Sequence, residues 1–275
     1  MEQQILFDMH THSTHSHDSR CKMEDMCLAA INAGLRGIAV TDHCDVELCL
    51  YDSNYANVLR SAAEAKNLAE RFEGRLDVIP GIEIGNPQWN PKMTEKVLSH
   101  DCFDVVLGSI HSVAYENYSM AFSRVDFEGW QKEELAAFMT LYFTHMIEIT
   151  ENFDFDILTH LTIPLRYING RYGHGYSIEP HYPAIERILK NIIDRGIALE
   201  VNTSSYAAFG TPIPDETVLR LYKRLGGSLI TVGSDAHVAI NVASNFKRTL
   251  ELIKVCGFDK YVYMKDKKFI PVNII

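Results

Sequence analysis

The chain has 275 residues, long for an average domain but ordinary for one α/β barrel, and its 47% apolar content is ample for a large core. A formal charge of −10, without an aromatic and basic stripe, counts against long nucleic acid as a partner. It leaves room for a small phosphorylated one, because bound divalent cations invert the local field.

The first predicted strand, ILFDMHTH, closes on His10 and His12. A helix over 22–35 follows, with Met23, Met26, Cys27, Ala30, Ile31 and Leu35 on one face and Gly34 and Gly37 at its exit. The strand GIAVTDH ends at His43, and a polar loop over 44–52 leads to a second helix that Gly74 stops. Next come DVIPGIEIG, which carries Glu83, a loop punctuated by Pro87 and Pro91, a short helix near 92–100, and DVVLGSIH, closed by His111. Residues 112–127 read as an irregular loop, followed by a long helix and then DFDILTHL with His160. Residues 162–179 have no clean period, and a loop of that length is usually functional. A helix then leads into IALEVNTSS, and PDETVLRLYKRLGG leads into LITVGSDAH, which carries Asp235 and His237. A helix over about 242–256 and a short terminal strand, YVYMKDKKF, end the chain.

Strands alternating with helices argue for a parallel sheet covered by helices. Six of seven strands end in His, Asp or Glu, which favours a closed or nearly closed barrel with its site at the C-terminal mouth. An open doubly wound sheet would gather its ligands at one switch point instead. No linker or repeat marks a boundary, so residues 1–275 are expected to form one domain. No run of eighteen apolar residues and no leader-like N-terminus is present, so no membrane span is expected and the cytosol is the expected compartment. The six cysteines lack CxxC spacing and are expected to be reduced thiols, Cys44 beside His43 being the one of interest.

Two imidazoles at i and i+2, as in His10 and His12, point to one side of a strand, and Asp235 and His237 repeat that spacing on the last strand. In a closed barrel these four converge. Neutral imidazoles suit zinc, iron and manganese, and a carboxylate such as Glu83 can bridge two ions. Taken singly, Glu83 could pair with an Arg and Asp235 could cap a helix. His100, His145 and His181 read as surface or packing residues, while His174, in the long loop, is a candidate for facing substrate. No Ser-His-Asp or Cys-His set, GxSxG elbow or Walker loop stands out, which leaves metal-activated water as the expected nucleophile.

Through DMHTHS, TDH, GIEIG, GSIHS, DILTHL, LEVNTS and GSDAH, in that order from residue 8 to 237, the chain resembles the polymerase-and-histidinol-phosphatase (PHP) superfamily of metal-dependent phosphoesterases, and within it the monofunctional histidinol-phosphatases. The resemblance implies a distorted (β/α)7 barrel, TIM-barrel-like, with three divalent ions (Zn, Mn or Fe). One ion would lie between His10, His12, Glu83 and Asp235, a second would share Glu83 with His111 and His160, and a third would use His17, His43 and His237. The family's third ligand in its first motif stands five or six residues beyond the second His, an offset that His17 fits and His15 does not. Arg166, soon after the fifth-strand histidine, takes the place of a phosphate-holding base. Family members often carry another Arg after the NTS-like motif, where this chain has Tyr206 and Ala207; Arg124 or Arg171 is the candidate replacement, and Tyr206 is itself a candidate substrate contact. The implied activity is hydrolysis of a small phosphate monoester, with L-histidinol phosphate leading. Alternatives are another small phosphate ester or nucleotide, or a non-catalytic interaction module.

Overall fold

The computed structural model describes residues 4–46, 52–115 and 118–275. Cys49 and most of the expected polar loop lie outside them. In chain order the elements begin with β1 (Phe7–Thr11), α1 (Met23–Asn32), β2 (Gly37–Val40), β3 (His43–Asp45), α2 (Asp52–Arg71), β4 (Asp77–Gly85), α3 (Pro91–Leu98) and β5 (Val105–Ser109). There follow β6 (Ser112–Tyr115), β7 (Tyr118–Ala121), α4 (Lys132–Asn152), β8 (Ile157–Leu158), α5 (Tyr182–Arg195) and β9 (Ala198–Asn202). The last are α6 (Tyr206–Phe209), α7 (Glu216–Arg224), β10 (Ile230–Gly233), α8 (Phe246–Val255), β11 (Lys260–Lys265) and β12 (Lys268–Asn273).

Seven parallel strands run in the order β1-β2-β4-β5-β8-β9-β10, with β3 extending the sheet beside β4. The ends meet near the mouth, where His12 N donates to Ala236 O at 2.9 Å and Asp235 N to His10 O at 2.8 Å. Lower on the same seam, the buried Asp8 carboxylate accepts from Ser234 N at 2.9 Å and Ala243 N at 3.0 Å. The result is a nearly closed barrel, as the strand-end pattern predicts.

The barrel interior is divided along its axis. Phe7, Met9, Ala39, Ile79, Val105, Leu107, Ile157 and Ala198 form an apolar layer with Val262 and Met264 of β11. The terminal segment is therefore a hairpin rather than a single strand, and it plugs the end of the barrel opposite the mouth. Phe7 stacks on Tyr263 at 3.6 Å between ring centroids, and Tyr261 Oη donates to Ile5 O at 2.7 Å. Outside the strands, α1, α4, α5, α7 and α8 bury their apolar faces in one large cluster against the sheet. Cys44 is packed with Val46, Val58, Ile82 and Ile84 in a separate apolar cluster.

Two expected loops are structured. Residues 112–127 contain the β6–β7 hairpin and a 3-10 turn at Phe122–Arg124. Four-residue strands carry too little periodicity to stand out in sequence. Residues 162–179 include a π-helical turn at Arg166–Arg171. Among the described residues no helix is long and apolar enough to cross a membrane.

Because the plug lies away from the mouth, Met264→Ala should lower unfolding stability by about 2–5 kcal/mol in urea melts and leave bound metal unchanged. Loss of metal without loss of stability would contradict this division of the barrel.

Candidate metal centre

Above the apolar layer the inward positions turn polar. On β4, Ile79, Gly81 and Glu83 share one face by simple alternation. A Cβ at Gly81 would lie 2.6 Å from Val105 Cγ1 and 2.8 Å from Thr41 Cγ2, so glycine is required beneath Glu83. On β5 the phase of Val105 and Leu107 continues to His111, and on β9 that of Ala198 continues to Glu200 and Asn202.

The other donors reach the centre by breaking alternation. Phe7 and Met9 face inward, yet so do His10 and His12. The register pairs Asp8 with Ile38 and Thr11 with Val40, so two residues of β1 oppose one of β2 and this bulge shifts the phase. Past β8 and β10 the device is a left-handed residue, with His160 at φ 26° and Asp235 at φ 53°. Such backbone at non-glycine residues costs on the order of 1–3 kcal/mol each and persists only where the surroundings over-determine it. Here His160 N donates to Glu200 Oε2 at 2.8 Å, and Asp235 N is held by His10 O.

Glu83 is fully buried at the hub. Its Oε1 is 2.8 Å from His160 Nε2 and 3.1 Å from His111 Nε2. Its Oε2 is 2.9 Å from His43 Nδ1, 3.3 Å from His10 Nε2 and 3.6 Å from His12 Nε2. Asp235 Oδ1 lies 3.4 Å from His12 Nε2 and 3.6 Å from His237 Nδ1. Among the described residues, four sets of donor atoms each fall within 4.8 Å of one another: His10, Glu83 and His160; His10, His12 and Asp235; His43, Glu83 and His111; and His12, His43 and His237.

Charge follows this geometry. Burial alone would raise the Glu83 carboxyl, but His111, His10 and His43 hold it well below the carboxylate range. Burial likewise opposes charge on His10, His43 and His111, yet the facing carboxylates keep all three well above an ordinary imidazole. His12 goes the other way, to about 3, through burial and the neighbouring His237 and His43. In the metal-free protein, protons thus occupy part of a site rich in imidazole and carboxylate. Ligation displaces them, so metal affinity weakens as pH falls through the raised imidazole values.

The donor set fits divalent ions. Glu83 Oε2, His43 Nδ1 and His237 Nε2 are buried, and although oppositely charged partners lie within 3.2 Å, none of the three makes a well-directed hydrogen bond. His10 Nε2 and His12 Nε2 face each other at 3.0 Å, a spacing suited to two nitrogens converging on one cation. The donors open into a cavity of about 110 Å³ that is also lined by Ile163, Arg166, Tyr167, Phe122 and Ser123.

The expected residues fare differently. His10, His12, His43, Glu83, His111, His160, Asp235 and His237 converge. His17 does not join the donor sets; it is exposed, its ring 5.4 Å from that of His43. The neighbouring Asp18, also exposed and also outside the donor sets, is nearer to the histidines, its Oδ2 lying 3.2 Å from His237 Nε2 and 3.5 Å from His43 Nε2. Asp18 stands six residues beyond His12, an offset the same rule also admits. His15 instead binds Glu64 at 2.8 Å.

Arg166 lines the cavity, its Nη2 donating to Asp235 Oδ2 at 3.1 Å and also to Ser204 Oγ. Burial opposes its charge, but Asp235 more than restores it and its pKa is raised. The other expected substrate contacts lie outside the cavity lining. Arg124 is exposed, Arg171 donates to Ser123 O at 3.2 Å, and His174 binds Phe127 O at 2.8 Å. Tyr206 packs under the Arg248 guanidinium, 3.4 Å from its ring centroid.

Three carboxylates behind the imidazoles were not singled out in the sequence. Glu200 Oε1 meets His10 Nδ1 at 2.6 Å, Asp45 Oδ1 meets His111 Nδ1 at 2.7 Å, and Asp42 holds Ser16, whose Oγ is 3.1 Å from His12 Nδ1. The readable signal for Glu200 is an acid inside an otherwise apolar strand.

Comparison with known proteins agrees with this fold. The PHP domain family model matches residues 8–204. A probable histidinol-phosphatase of Thermotoga maritima is 27% identical over 271 residues, spanning 98% of this chain and 100% of that protein. The histidinol-phosphatase of Lactococcus lactis subsp. lactis is 26% identical over 95% of each chain. The fold is shared with the crystal structure of L. lactis histidinol phosphate phosphatase complexed with zinc, L-histidinol and phosphate, at TM-score 0.74, 23% identity, and coverage of 96% of this chain and 98% of that one. With the family model spanning most of its length, the chain belongs to the PHP domain family.

Proposed function

We propose that this chain is a metal-dependent phosphatase that hydrolyses L-histidinol phosphate to L-histidinol and phosphate, a step of histidine biosynthesis, and that residues 1–275 act as one domain in the cytosol. The observation that carries the reading is the Glu83 hub, where five imidazoles surround one buried carboxylate beside a cavity containing an arginine. The names of the full-length relatives support the substrate.

In this reading the site holds three divalent ions of the zinc, manganese or iron class. His10, His12 and Asp235 would hold one with Glu83, and His111 and His160 would hold a second with the other Glu83 oxygen. His43 and His237 would hold the third, with Asp18 in the position expected for His17. Bound ions of this kind supply Lewis acidity and lower the pKa of water toward ~7.

The protein's own groups do the rest. Arg166 presents a guanidinium to the non-bridging phosphate oxygens and offsets charge as it builds there. Asp235 and Ser204 hold that guanidinium at the edge of the cavity, and its buried Nε has no hydrogen-bond partner to give up when substrate arrives. Ile163, Phe122 and Tyr167 wall the cavity and restrict bulk water around the ester.

One observation favours a second reading, a PHP phosphatase for a different small phosphate ester. Tyr206 and Ala207 stand where family members often carry a second arginine, and neither Arg124 nor Arg171 lines the cavity. Phosphate release from L-histidinol phosphate against a panel of nucleotides and sugar phosphates separates the two. A clear preference for histidinol phosphate supports the first reading, and its absence supports the second.

Glu83→Gln should reduce turnover by at least ~100-fold, as loss of several kcal/mol of transition-state stabilisation requires, with bound metal reduced and circular dichroism unchanged. Near-normal turnover would remove Glu83 from the centre of the reaction. Arg166→Ala should lower kcat/KM by roughly 10²–10³-fold with metal content retained, whereas Arg124→Ala and Arg171→Ala should stay near the parent. The reverse order of effects would move the phosphate site to the loops.

A further inference from the structure

We propose that Glu200 is a positioning residue of the metal centre, one carboxylate that aims two imidazoles from different strands, His10 and His160, at the same ion. The inference rests on the metal-binding reading above and assigns a role to a residue behind the donors.

Glu200 is 1% exposed on β9, on the face shared with Ala198 and Asn202. Its Oε1 lies 2.6 Å from His10 Nδ1. With Glu200 as the acceptor, His10 carries a proton on Nδ1, and as a neutral ligand it turns its lone pair outward at Nε2. That Nε2 faces His12 Nε2 at 3.0 Å and Glu83 Oε2 at 3.3 Å. The second oxygen, Oε2, accepts from His160 N at 2.8 Å and from Asn202 Nδ2 at 3.1 Å. The first of these bonds holds His160 in its left-handed conformation, from which its Nε2 comes within 2.8 Å of Glu83 Oε1. His10, Glu83 and His160 form one of the donor sets, and Glu200 stands behind both of its imidazoles.

The barrel makes room for this contact at one point. A Cβ on Gly233 would lie 2.3 Å from Glu200 Oε1 and 2.6 Å from the His10 Cβ, so any side chain there would separate the pair. Asp45 behind His111 steadies a single imidazole, and the Asp42–Ser16 pair behind His12 reaches a second donor only through the Ser16 hydroxyl, which accepts from His43 N at 3.0 Å. Glu200 couples the tautomer of one donor to the backbone of another. A carboxylate on the far nitrogen also makes an imidazole a more basic ligand, and loss of such partners typically weakens metal affinity about 10–100-fold.

The test is Glu200→Gln, which keeps the shape and inverts one hydrogen bond. Its carbonyl can still accept from His160 N, but its amide then offers a donor to His10 Nδ1 and favours a proton on the ligating Nε2. Zinc affinity by chelator competition should fall about 10–100-fold, and the visible spectrum of the cobalt-substituted protein should change. Glu200→Asp, which keeps an acceptor, should retain more affinity; equal losses in the two variants would indicate packing and overturn the proposal. Parent-like zinc affinity and cobalt spectrum in Glu200→Gln would also overturn it. If the parent protein itself takes up no zinc or cobalt, the metal-binding reading fails instead. Should Glu200→Gln not fold, 15N-histidine spectra of the zinc-loaded parent decide: His10 protonated on Nδ1 is expected, and an unprotonated Nδ1 overturns the assignment.

Discussion

A carboxylate buried without a full-time cation beside it is the constraint around which this barrel is arranged. Taking Glu83 out of water costs several kcal/mol unless opposite charge and hydrogen bonds replace the solvent. Among the described residues no lysine or arginine pairs with it, and its partners are the imidazoles of His10, His12, His43, His111 and His160. Imidazole charge depends on protonation, so the cluster is electrostatically complete only with protons or cations present. The same requirement that makes the core costly to fold makes it a strong cation trap.

The strain elsewhere follows from that hub. The β1 bulge, the left-handed His160 and the left-handed Asp235 each turn into the donor cluster a side chain that plain alternation would aim elsewhere. Their cost is offset at the other end of the barrel, where the β11–β12 hairpin seals an apolar layer. Stability and chemistry are thus separated along the barrel axis, an arrangement that lets the mouth carry charge and irregular backbone without unravelling the sheet.

Much of the fold was legible because alternation of strand and helix is a strong pattern, and six strand ends carried donor residues at matching phase. Glu83 and His111 could be placed by period two alone. His10, His160 and Asp235 were recognisable by residue type, but the bulge and the positive φ angles that aim them depend on contacts across the barrel and have no local sequence signal. Asp18 and His17 are neighbours in a turn, and only the path of that turn decides which reaches His43 and His237. Glu200 was hidden because a lone acid in LEVN does not reveal its partners. Arg124, Arg171, His174 and Tyr206 were suggested by residue type and loop position; Arg124 is exposed, and the other three are held by contacts outside the cavity.

The most direct test of the central claim is anomalous diffraction at the zinc edge from crystals of the zinc-loaded protein. The account predicts zinc on both sides of Glu83, one ion within coordination distance of Oε1 beside His111 and His160, another near Oε2 beside His10 and His12. A zinc-loaded crystal with Glu83 bound to no metal would contradict it.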